Sequence, residues 1–156
     1  MIALKEFDRA LGQVVKADSA IKKCILVDRT GLTIAHVSRY SASAVDVDGI
    51  GAIASAVFCA SEEQGRNLDI GELLMVSSEF DEGKIFAASC GRGVLCVITD
   101  PEVNIGLVRL VMKKATEDLK ALLQEFLAEK PIEATAEEAV SERAELEAAL
   151  KELEKF

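Results

Sequence analysis

Apolar residues near the start of the chain recur at helical spacing. Ile2, Leu4, Phe7, Leu11, Val14 and Val15 share one face, with Lys5, Asp8, Arg9 and Lys16 opposite. The period then changes. Cys24-Ile25-Leu26-Val27 is a short apolar run ending in Asp28-Arg29-Thr30-Gly31, where Asp favours the first turn position and Gly tolerates a left-handed backbone. With a second run from Leu32 to Val37, this predicts a β-hairpin. A small, polar loop spans Tyr40 to Val45, and Asp46 and Asp48 are alternative caps for a helix from about Val47 to Asn67. Gly49 and Gly51 each cost roughly 0.8–1 kcal/mol relative to Ala inside a helix, less near its first turn, so an offsetting contact is expected. Gly51, Ser55 and Cys59 stand at i, i+4 and i+8, a small-residue face that admits another backbone. Ile50, Ile53, Val57 and Phe58 form the wider face expected to meet the core.

Three strands are predicted next: Glu72–Ser78, Lys84–Cys90 and Val94–Thr99. The links Phe80-Asp81-Glu82-Gly83 and Gly91-Arg92-Gly93 are short enough for antiparallel hairpins. Pro101 has no amide hydrogen to give a sheet, so the last strand stops at Asp100. Asn104 is the expected N-cap of a helix running to about Glu129, with Leu107, Leu110, Val111, Leu119, Leu122, Leu123 and Phe126 on its apolar face. Pro131 breaks it. Glu133–Phe156 is rich in Ala and Glu, and Leu146, Leu150 and Leu153 make a 4-3 stripe. The order α-β-β-α-β-β-β-α, plus a C-terminal helix, predicts an α+β fold: a five-stranded antiparallel sheet with helices on its faces. The chain divides into a domain over 1–129 and an acidic helical extension over 130–156.

Charge narrows the choice of partners. The net charge is −9, and residues 131–156 hold eight acids against three bases. A body with no basic stripe and no Trp argues against nucleic acid. The N-terminus carries charges at Lys5, Glu6 and Asp8, unlike the apolar core of a signal peptide, and the uncharged run Gly49–Ser61 is too short to span a bilayer. The expectation is a cytoplasmic protein without membrane insertion. Cys24, Cys59, Cys90 and Cys96 show no paired-ligand spacing, each within an apolar run, and there is one histidine; buried free thiols are expected and no metal.

No motif supports catalysis. Gly49-Ile50-Gly51-Ala52-Ile53-Ala54 fits a dinucleotide pattern formally, but the residues before it form a loop ending in two carboxylates, not a buried strand. There is no phosphate-binding loop and no serine nucleophile elbow. His36 falls mid-strand; Glu62-Glu63 and Asp81-Glu82 are sequence neighbours whose side chains point apart. Arg92, in a Gly-Arg-Gly turn, has the form of an exposed arginine finger, although a turn arginine is more often solvated surface. Self-association is better supported. The strand beginning at Glu72 lacks the Pro, Lys or interior charge that protects a sheet edge, and the small-residue helix before it seeks a close neighbour. A two-fold dimer would satisfy both, with Gly51, Ser55, Cys59, Leu73, Met75 and Ser77 as interface candidates.

Ile25-Leu-Val-Asp-Arg-Thr-Gly-Leu-Thr-Ile-Ala resembles the opening hairpin of the roadblock/dynein light chain family. The helix ending near Asn67-Leu-Asp-Ile-Gly-Glu-Leu, the three-strand meander and Thr99-Asp-Pro-Glu-Val-Asn-Ile-Gly-Leu-Val-Arg-Leu fit the same pattern, over about residues 2–125. The resemblance implies a longin- and profilin-like fold with sheet order 2-1-5-4-3, dimers joined through the third strand, and no cofactor. It implies non-enzymatic work: regulating or scaffolding Ras-like small GTPases, activating their hydrolysis in bacterial polarity systems, or serving as adaptors. Paired second helices would be the GTPase platform, with Glu62, Glu63 and Arg66 as candidate contacts here. A structural adaptor that touches no GTPase cycle is the alternative. A small-ligand sensor is disfavoured by the lack of clustered polar or aromatic residues. Residues 131–156 have no counterpart in the family's core domain, and a compact roadblock protein with such a tail points to a prokaryote.

Overall fold

In a computed structural model the chain is described over residues 4–39, 47–128 and 144–154. Its elements are α1 (Leu4–Lys16), β1 (Ile21–Asp28), β2 (Thr33–Ser38), α2 (Val47–Asn67), β3 (Val76–Phe80), β4 (Gly83–Ser89), β5 (Gly93–Thr99) and α3 (Ile105–Ala128). A further helix covers residues 144–153. The strands make one sheet in the order β2-β1-β5-β4-β3, with every pairing antiparallel. The expected α+β architecture and strand order are both observed. The Tyr40–Val45 loop, the Asp46 cap, Glu129 and the Pro131 break lie outside the described residues.

Alternation along the central strands builds two cores. Successive side chains point to opposite faces of a sheet. Cys24 and Leu26 of β1, Phe86 and Ala88 of β4, and Leu95 and Val97 of β5 therefore meet Phe7, Leu11, Met112 and Leu119 from α1 and α3. Ile25, Val27, Ala87, Val94 and Cys96 point the other way, toward Phe58 of α2. This explains why β1 and β5 read as unbroken apolar runs: they are buried on both faces. Phe7 and Phe126 meet edge to face, with ring centroids 5.6 Å apart, and tie α1 to the last turns of α3.

Local chemistry ends the elements where their composition demands. Asp28 Oδ1 accepts the Thr30 and Leu32 amides at 2.9 and 3.0 Å and the Thr30 hydroxyl at 2.6 Å, which folds the β1–β2 turn. Gly31 sits in that turn at φ 96°, where a Cβ would be strained. Asn104 Oδ1 accepts the Leu107 amide at 3.2 Å, so Asn104 is the N-cap of α3. Asp48, by contrast, lies inside the first turn of α2 rather than capping it.

Three expectations change. The third strand begins at Val76, not Glu72, because its pairing with β4 starts at Val76↔Ala87. Residues before it belong instead to the exit from α2: Leu68, Asp69 and Ile70 donate amides to Gln64, Arg66 and Gly65, with Asp69 and Gly71 at positive φ. On α3 the buried face is Val108, Met112, Ala115, Leu119 and Leu123, and Leu110 is 68% exposed. On α2 the face expected to meet the core is split: Phe58 and Ile50 pack on the core as expected, but the small-residue face joins them there. Gly51, Ser55 and Phe58 are buried, whereas Ile53 and Val57 face outward.

Candidate functional site

The outward turn of Ile53 and Val57 follows from how closely α2 sits on the sheet. A Cβ at Gly51 would stand 2.5 Å from Val27 Cγ1, and the Ser55 hydroxyl donates to the Asp28 and Arg29 carbonyls at 3.2 and 3.3 Å. The small-residue face is thus used inside the chain, against β1 and its turn. Gly51 and Ser55 cannot meet a second protomer as the sequence pattern suggested, since they are already covered by their own sheet. Cys59 is half-buried beside Arg29.

α2 lies chiefly over β1, β2 and β5, so no described residue covers the far side of the same face. There Ile53, Val57 and Phe80 are 67%, 43% and 59% exposed. Between them runs an apolar groove of about 220 Å³, lined also by Ile50, Val76, Ile85 and Ala87. It borders β3, an edge strand with one side unpaired. Ser77 is exposed on that strand. Its displaced register brings Glu79 into β3, bridged to Lys84 at 3.9 Å, so the edge does carry one charge. Leu73 and Met75 precede the strand, half-buried, and line a different groove together with Glu62 and Arg66.

The three platform candidates fare differently. Glu63 and Arg66 form an exposed i,i+3 pair at 2.9 Å on the last turns of α2. Glu62 is taken up by Arg29, a residue the sequence showed only as part of a turn. Arg29 Nη1 donates to Glu62, Nη2 to Ser89 Oγ at 2.8 Å, and Nε to the Gly91 carbonyl at 3.2 Å. Its guanidinium also lies 5.5 Å from the Phe58 ring centroid. One side chain thereby joins the β1–β2 turn, α2 and the β4–β5 turn. Burial works against its charge, but the Glu62 carboxylate beside it outweighs burial and holds the guanidinium protonated. The available signal was a lone arginine next to the turn-forming Asp28; nothing local named its distant partners.

Reactive groups are poorly placed for chemistry. Burial pushes the Cys90 and Cys96 thiols up to about 12, and burial together with neighbouring thiols raises Cys24 well above its ordinary value. His36 is exposed on β2, and Arg92 is exposed in its turn. Among the described residues no group of His, Cys, Asp and Glu could hold a metal ion, and no helix is long and apolar enough to cross a membrane.

The sequence and the fold have counterparts among known proteins. The sequence profile of the Roadblock/LC7 domain matches residues 11–99. The chain belongs to the Roadblock/LC7 family. It is 39% identical over 115 residues to the uncharacterized protein MJ1340 of Methanocaldococcus jannaschii, covering 74% of this chain and 97% of that one. A second protein of that organism, MJ0310, is 38% identical over the same length. Solved structures share the Roadblock/LC7 architecture. The gliding protein MglB of Thermus thermophilus superposes with a TM-score of 0.72 at 18% identity, covering 80% of this chain and 94% of that one. Myxococcus xanthus MglB gives 0.67 at 24% identity, over 77% and 98%. These two likenesses are of fold.

Proposed function

We propose that this Roadblock/LC7 chain forms a homodimer through α2 and β3 and serves as a non-catalytic regulator or scaffold of a Ras-like small GTPase. The observation that carries the reading is the exposed apolar surface of Ile53, Val57 and Phe80 beside an unpaired edge strand. Pairing β3 with its symmetry mate would extend the sheet across a two-fold axis and cover those side chains. Ser77 lies on the paired edge in this arrangement and Leu73 and Met75 lead into it, while Cys59, beside Arg29, stands on the other side of α2. Glu63 and Arg66 remain exposed on α2, available to a GTPase, while Glu62 contributes through its pair with Arg29. Residues 1–129 form the domain, in the cytoplasm, and 130–156 its appendage.

The dimer is tested by sedimentation at micromolar concentration. The full chain should run as a dimer and the Val57→Asp/Phe80→Asp variant as a folded monomer; a clean wild-type monomer would sink the proposal. The GTPase reading is tested by hydrolysis assays with a small GTPase encoded beside this protein. Accelerated turnover supports regulation, unchanged turnover with firm binding leaves scaffolding, and no binding favours a structural adaptor.

A further inference from the structure

Helix α3 carries a basic stripe on its outer side. Arg109, Lys113 and Lys120 stand at i, i+4 and i+11, sharing a face with Thr116, and all three bases are exposed. Among the described residues none of the three has a carboxylate within ion-pair distance. They line an open groove of about 1150 Å³ between α3 and the segment that leaves α2. Leu73 and Met75, half-buried, give the groove an apolar lining over the buried Ala88 and Met112, and Leu74 on its margin is 83% exposed. Its other charges are Arg29 and Arg66, held by Glu62 and Glu63, together with Asp69 and Glu72 on the side away from α3.

The chain carries a segment of complementary character. The helix over residues 144–153 is exposed on every side, with Leu146, Leu150 and Leu153 at 65%, 54% and 70%. Glu145, Glu147, Glu152 and Glu154 surround that stripe against a single base, Lys151. A free helix of this length is marginal in water, below the ~12–15 residues at which isolated helices persist, so a stable one needs a surface to pack on.

Length permits the contact. Fifteen residues separate Ala128 from Ala144, a tether of about 50 Å when extended. Arg109 lies only ~28 Å back along α3 from Ala128, and the Arg109–Lys120 stripe, ~17 Å long, matches the ~15 Å of the terminal helix. We propose that residues 144–154 dock within the same chain in the groove beside α3, the leucines on its apolar lining and the glutamates along Arg109, Lys113 and Lys120. Exposed ion pairs add little affinity individually. The leucine stripe therefore supplies the attraction, and the charges choose this groove over the apolar α2–β3 face. The inference rests on neither the dimer nor the GTPase reading.

Amide hydrogen exchange of the full chain tests it. Residues 144–153 should exchange at least about tenfold more slowly than in a synthetic peptide of residues 144–156. The slowing should disappear in Leu146→Asp/Leu150→Asp. It should weaken in Lys113→Glu/Lys120→Glu and return when that variant also carries Glu145→Lys/Glu152→Lys. Thermal unfolding of each variant checks that the domain itself is intact. Exchange at the peptide's rate overturns the proposal, as does protection indifferent to the groove charges. Protection that vanishes on dilution places the helix on a second copy and overturns docking within one chain.

Discussion

At the scale of single residues, Gly51 and Asp28 do the most to position α2. Replacing Gly51 with Ala would gain about 1 kcal/mol of helix propensity. The added methyl would stand 2.5 Å from Val27 Cγ1 and 3.2 Å from Thr33 Oγ1. Val27 is fully buried and branched at Cβ, so it has little room to yield. Overpacking of this kind costs about 1–3 kcal/mol, and the repulsion wins. Urea unfolding of Gly51→Ala should show a net loss of about 1 kcal/mol, and the same substitution should cost less in a Val27→Ala background. Asp28 has a different role. Burial raises its proton affinity, but the Thr30 hydroxyl and the Leu32, Thr30 and Gly31 amides outweigh burial and hold its carboxyl below the ordinary value. The folded chain therefore binds this proton less readily than the unfolded one. The stability it confers is complete above the unfolded value of about 3.9 and is lost as pH falls through the lower folded value. The stability difference between wild type and Asp28→Asn should be constant above about pH 5 and shrink below about pH 4, as urea titrations across pH would show.

At the scale of elements, the helix periods were legible, and so was the buried face of α1, Phe7, Leu11, Val14 and Val15, but the orientations of α2 and α3 were not. α2 has Val47–Asn67 as both its predicted and its observed bounds. Its apolar residues nevertheless occupy two sides, one packed on the sheet through Phe58 and one exposed through Ile53 and Val57. Bulk alone suggested that the larger side faces the core. Proximity decided otherwise, because Gly51 and Ser55 let the backbone come close enough for Ser55 to reach the β1–β2 turn. α3 shows a smaller rotation of the same kind, made visible by two substitutions. Leu110→Gln, at an exposed position, should change stability by less than about 0.5 kcal/mol, whereas Met112→Ala, fully buried, should cost about 2–5 kcal/mol. Equal losses in chemical denaturation would show that Leu110 is as buried as Met112. The third strand was misplaced by four residues for a related reason. Leu73-Leu74-Met75 has the composition of a strand, but its pairing with β4 stops at Val76↔Ala87, although β4 itself continues to Ser89.

At the scale of the whole molecule, one sheet carries two unequal coverings. Among the described residues, α1 and α3 pack together on one face, while α2 alone serves the other and leaves the β3 end bare. If that surface is covered by a second copy, the thermal midpoint of the full chain should rise with protein concentration. The midpoint of Val57→Asp/Phe80→Asp should not. A wild-type midpoint independent of concentration over a hundredfold range would argue against a dimer coupled to folding.

The sequence by itself determined the element order, the central strands, the turn chemistry of Asp28 and the cap at Asn104. These depend on residues near one another along the chain, where alternation, side-chain hydrogen bonding and the missing proline amide act directly. Family membership was legible for the same reason, since the hairpin and the strand-to-helix junction are local signatures. Only the tertiary structure decided which side of α2 is free, where β3 begins and what Arg29 holds. Each of those depends on a partner far away in sequence: Val27 for Gly51, Ala87 for Val76, and Glu62, Ser89 and Gly91 for Arg29. Local pattern supplies the faces of an element, but which face is buried is set by what packs against it.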